Sequence, residues 1–99
     1  MNIQRNDCND TVTLVLSGRL DTNTAPELEK EVDCAVSAGI KTLIMDMQNL
    51  IYTSSAGLRV ILKAQKLMNK QGNMKLIHVS DDVMEIFDIT GFLDILTIE

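Results

Sequence analysis

Three apolar runs, TVTLVLSG (residues 11–18), KTLIMDM (41–47) and MKLIHV (74–79), are held apart by two stretches that are each long enough for a helix and patterned like one. Strands joined by connections of that length cannot fold straight back as hairpins, so they pair in parallel with the crossover segments packed on the sheet. This alternation, more than any figure of composition, restricts the chain to an α/β fold. TVTLVLSG alternates, with Val12, Leu14 and Leu16 on one face and Thr11, Thr13, Val15 and Ser17 on the other, as a half-buried strand does. KTLIMDM is continuously apolar and short, which predicts a strand covered on both faces. Ahead of them, Ile3 to Asn6 reads as a short strand that NDCND turns back as a hairpin.

The intervening stretches carry helix punctuation. In DTNTAPELEKEVDCAVSAG, Thr24 is a candidate N-cap, Glu27 stands three residues on as a capping box requires, and Pro26 lies in the first turn. Leu28, Val32, Ala35 and Val36 recur at helical spacing, and Gly39 closes the run. The longest helix is predicted from Ser54 or Ser55 to about Lys70, burying Gly57, Val60, Ile61, Ala64, Leu67 and Met68. Ser80 caps a third helix through Ile89, with Asp81 and Asp82 in its first turn, and LDILTI adds a last strand. The expected product is one α/β domain over residues 1–99, with a mixed sheet of four to five strands, parallel at its centre.

Composition removes several function classes. A net charge of -5 and only three aromatic residues, Tyr52, Phe87 and Phe92, argue against a nucleic-acid surface. No apolar run approaches the roughly 18 residues a membrane span needs, and MNIQRNDCND is no secretory signal. The chain therefore reads as soluble and intracellular. Cys8 and Cys34 are too few for a disulfide framework, and the single His78 leaves metal chemistry short of ligands, so no metal or cofactor is expected.

Chemistry concentrates in IYTSSAGLRVIL, residues 51–62. Ser54 and Ser55 stand where a strand gives way to a helix, the place at which open α/β sheets gather functional groups. One serine serves the free N–H groups of the first turn. A hydrolytic role would need a nucleophile elbow and a base, but YTSSAGL lacks the first glycine and only His78 could take the proton. An acceptor of phosphate needs less: an exposed hydroxyl at a helix start, where amides and dipole stabilise an added dianion.

GRLDTNTAPELEKEV, KTLIMDMQNL and above all YTSSAGLRVIL resemble the STAS domain of bacterial anti-sigma factor antagonists, over essentially the whole chain and including ITGFLDIL near its end. The resemblance implies a small cytoplasmic α/β domain, monomeric when free, that binds an anti-sigma factor. That partner is a serine kinase of the histidine-kinase-like ATPase type, and binding releases a sigma factor. Phosphorylation of one serine ends the binding and a serine phosphatase restores it. The common family motif is Asp-Ser-Ser/Thr-Gly-Leu, with the serine after the aspartate as acceptor. Laid on this chain it puts Ser54 at the aspartate, Ser55 at the acceptor and Gly57 and Leu58 at the Gly-Leu, leaving Ser54 as the alternative acceptor. Arg59 stands where many relatives have glycine, and Asp21 matches the aspartate of the family's GRLD stretch. The expected partner surface comprises Asp21, Thr24, Ser54, Arg59 and Lys66, together with an apolar ridge of Leu58 and Leu62. The other reading is a STAS-like subunit or scaffold without a switch, in which Ser55 only caps the helix.

Overall fold

The computed structural model describes residues 1–99. Strand β1 (Asn2–Cys8) pairs antiparallel with β2 (Thr11–Leu20) through the two-residue turn Asn9–Asp10. Asn9 takes a φ of 55°, a left-handed conformation that asparagine tolerates well. From β2 the chain continues through helix α1 (Ala25–Ser37), strand β3 (Thr42–Thr53), helix α2 (Ser55–Asn69), strand β4 (Asn73–Ile77) and helix α3 (Asp81–Thr90). A single 3-10 turn, Phe92–Asp94, follows. The strand order is β1-β2-β3-β4, with β2, β3 and β4 parallel, as the spacing of the apolar runs predicts.

Because the parallel strands are added in one direction, right-handed crossovers deliver α1 and α2 to the same face, and α3, which follows β4, packs there as well. Leu14, Leu16, Leu43, Met45 and Leu76 point to that face and are fully buried, and they join Leu28 and Val32 of α1, Ile61 and Met68 of α2 and Phe87 of α3 in one core. The opposite face is uncovered, which corrects the expectation for β3. Thr13, Val15, Ile44 and Lys75 look away from the helices and are only half-buried.

Two further expectations fail for identifiable reasons. The final strand does not form. Gly91 ends α3 in the left-handed region and Phe92–Asp94 turns back at once, so only Ile98 bridges Leu76, through Leu76 N–H to Thr97 O and Glu99 N–H to Leu76 O. The turn places Leu96 in the core. The capping box at α1 is absent as well. Thr24 has helical backbone angles and makes no cap bond, because its hydroxyl donates to Arg19 O at 2.8 Å and accepts from Asp21 N–H at 2.8 Å.

Strand β3 is longer than its apolar run, because two register shifts against β2 set twelve of its residues opposite ten. Each extra residue is a bulge, one near Gln48 and one at Ile51, and burial after Met47 skips from every second residue to every third, at Leu50 and Thr53. Asp46 Oδ1 accepts from Gln48 N–H at 3.0 Å and steadies the first bulge.

Candidate functional site

Helix α2 begins under tight constraint. Ser54 N–H donates to Leu20 O at 2.8 Å, which ties the end of β3 to the end of β2. A Cβ on Gly57 would come within 2.6 Å of both Leu20 Cγ and Thr53 Oγ1, so the first turn lies against the two strand ends at a distance only glycine permits. Ser54 is the N-cap, with extended backbone and a hydroxyl that accepts from Gly57 N–H at a long 3.4 Å. Ser55 is the first helical residue and is exposed, and its hydroxyl has no hydrogen-bond partner in the protein. The two serines thus divide the roles: one closes the helix and the other is free.

Beside them lies the loop from β2 to α1. Asp21 Oδ1 accepts from Asn23 N–H at 3.0 Å and from Thr24 N–H at 3.1 Å, and Asp21 O accepts from Ala25 N–H at 2.7 Å. Partial desolvation pushes the Asp21 carboxyl upward, but the amides of Thr24 and Asn23 and the charge of Arg19 outweigh it. The group consequently sits below the usual carboxylate range.

Asp21, Thr24, Ser54, Ser55 and Arg59 are gathered at the carboxyl end of the parallel strands. Arg59 is exposed and makes no ion pair or hydrogen bond. Lys66 is exposed eleven residues beyond Ser55, about 16 Å along the helix at 1.5 Å per residue, and belongs to another region. The apolar ridge requires correction. Leu58 is 5 % exposed and part of the core, and Leu62 is half-buried, so neither forms a free ridge. Helix α2 covers β3 and β4 and also meets α1, which buries an arc from Val60 round to Leu58, roughly 160° at 100° per residue, wider than one stripe.

The sequence reading passed over Arg19, Ile51 and Tyr52. The second bulge leaves Ile51 68 % exposed and Tyr52 37 % exposed, and the Arg19 guanidinium lies 4.4 Å from the centroid of the Tyr52 ring. Their signal was the stretch of apolar spacing from two to three after Met47, which separates Leu50 from Thr53 and turns the residues between outward. His78 is not part of this site. It follows β4, and its Nδ1 lies 3.0 Å from Oδ1 of Asp46, which leaves seven residues of β3, on the order of 20 Å, between that pair and the strand end. The one cavity, about 220 Å³ and lined by Thr42, Asn73, Met74, Lys75, Thr97 and Glu99, opens where β3 and β4 begin, at the other end of the sheet.

The family model of the STAS domain matches residues 2–99. The chain belongs to the STAS domain family. Among curated relatives, this STAS domain is 38 % identical over 84 residues to BtrV of Bordetella bronchiseptica, named as a candidate anti-sigma factor antagonist, covering 84 % of this chain and 72 % of that protein. It is 29 % identical over 97 residues to the anti-sigma-B factor antagonist of Staphylococcus epidermidis, covering 97 % and 90 %. Its fold matches that of the anti-sigma factor antagonist SpoIIAA in the unphosphorylated form, with a TM-score of 0.79, 19 % identity and coverage of 99 % of this chain and 87 % of that one. The phosphorylated form of SpoIIAA from Bacillus gives a TM-score of 0.78 at 20 % identity, covering 99 % and 91 %.

Proposed function

We propose that this STAS domain is an anti-sigma factor antagonist, a cytoplasmic binding module whose hold on an anti-sigma factor is broken by phosphorylation of Ser55. Unmodified, the end that carries Asp21, Thr24, Ser55 and Arg59 docks on an anti-sigma factor that is itself a serine kinase, and a sigma factor or other regulator is set free. The kinase then transfers a phosphoryl group from ATP. Ser55 Oγ forms a bond to the γ-phosphorus, the bond from phosphorus to the bridging oxygen breaks, ADP leaves, and the hydroxyl proton passes to a base or to water. A serine phosphatase reverses the state by hydrolysis, returning the hydroxyl and inorganic phosphate. On this reading the domain contributes binding and carries out no reaction of its own.

The observation that carries the reading is the free Ser55 hydroxyl at the first position of α2, beside a Ser54 that already supplies the cap. The names of the curated relatives support the class of partner. A phosphate brings about -1.5 to -2 charges and a firmly held hydration shell into a protein contact. Losing even ~3 kcal/mol of binding lowers affinity about a hundredfold. The fold need not change, since the start of α2 accommodates an anion.

Incubation with the cognate kinase and ATP, followed by mass spectrometry, is expected to place one phosphate on Ser55. Ser55→Ala is expected to abolish the modification while binding the partner, and Ser55→Asp to weaken binding by tenfold or more. Modification that persists in Ser55→Ala overturns the assignment. No modification, together with unchanged binding by Ser55→Asp, leaves a STAS module without a switch.

A further inference from the structure

We infer that Arg59 pairs with the Ser55 phosphate one helical turn away and holds the modified start of α2 in place. The inference rests on the reading of Ser55 as the acceptor. Residues four apart on a helix are surface neighbours, about 5–6 Å between their Cβ atoms. Long helical side chains lean back over the preceding turn, which carries the Arg59 guanidinium toward Ser55 rather than away from it. Both residues are exposed, and nothing in the protein occupies either one.

The surroundings leave Arg59 as the available cation. Arg19 stacks on Tyr52, and Lys63 is held by Asp33 at 3.2 Å and Glu29 at 3.6 Å. The carboxylate of the neighbouring loop, Asp21, accepts from the amides of Asn23 and Thr24 and makes no contact with Arg59. The first turn of α1 holds Glu27 and that of α3 holds Asp81 and Asp82, whereas the first turn of α2 has no acidic residue. A phosphate on Ser55 would supply that missing charge, and the planar guanidinium suits two of its oxygens at once.

The test installs phosphoserine at position 55 during translation, so that no kinase is required. The second proton of the phosphate, followed by phosphorus NMR against pH, is expected to leave about 0.3 units lower in the wild-type background than in Arg59→Gln. Arg59→Lys is expected to fall between them, because it keeps the charge and loses the fork. High salt is expected to shrink the difference. Identical titrations in the wild type and Arg59→Gln overturn the pairing. A Ser55 that the kinase does not modify would sink the switch and leave this titration as it is, so the two failures are distinct.

Discussion

At residue scale, Asp21 organises its surroundings more than it displays itself. Its carboxylate collects the amides of Asn23 and Thr24, and the Thr24 hydroxyl reaches back to Arg19 O, so the strand end and the helix start are fastened by these two side chains. Because the folded-state pKa is depressed, there is a window below the usual value of about 3.9 in which the unfolded chain binds a proton at Asp21 and the folded chain does not. The contribution of Asp21 is complete above that window and is lost as the pH falls through it. Asp7, lowered by its bond to Arg5, acts in the same direction. Chemical denaturation between pH 7 and pH 3 is expected to show stability falling at the acid end, with a shallower fall in Asp21→Asn. Gly57 is the other residue with a specific demand. Alanine would favour the helix by nearly ~1 kcal/mol. The clash with Leu20 Cγ and Thr53 Oγ1 outweighs that gain, so Gly57→Ala is expected to destabilise by about 1–3 kcal/mol in a thermal melt. Gln65 carries a different burden: its Nε2 donates to Asn69 Oδ1 at 2.9 Å, while its buried Oε1 has no partner.

At the scale of elements, the parts written in periodic patterns were legible and the parts decided by competition were not. The strands of the parallel sheet and all three helices could be placed because hydrophobic spacing and the Ser80 and Gly91 punctuation agreed with the fold. The place of Ser54 and Ser55 at the junction of β3 and α2 was legible for the same reason, since both fall between an apolar strand pattern and a helical one. The capping box at Thr24 was illegible because two backbone groups from β2 and its loop take the hydroxyl first. The burial of Leu58 was illegible because it depends on how many neighbours α2 has, which no local pattern records. The bulges in β3 had the largest consequence for the site. By adding two residues against β2, they turn Ile51 and Tyr52 outward beside Arg19 at the end that carries Ser55. Exposed apolar and aromatic side chains become sources of affinity where a partner covers them and excludes water. Ile51→Asp is therefore expected to weaken binding to the anti-sigma factor by about tenfold in calorimetry. Its melting temperature is expected to stay near that of the wild type, because the side chain is mostly in water already.

For the molecule as a whole, the one-sided sheet and the charge distribution set the conditions under which a small modification matters. Lys75 is the last Lys or Arg, and Asp81, Asp82, Glu85, Asp88, Asp94 and Glu99 follow it, so the net charge of -5 comes from α3 and the segment after it. A phosphate on Ser55 would deepen the charge of a protein already negative and bring a strongly hydrated group to the docking end without calling for a rearrangement. The hydrogen bond from Ser54 N–H to Leu20 O gives this a further consequence. Residues 20 and 54 are brought together only when β2 and β3 have found their register, so the place of the adjoining hydroxyl is a product of assembly and not of local sequence. An enzyme that reads this serine in its place inspects, in the same act, whether the domain has been built correctly. A free peptide of residues 51–62 is expected to be phosphorylated at least tenfold more slowly than the intact protein, because the short segment pays the cost of helix nucleation that the strands have already met. Quality control and signalling would then share one atom.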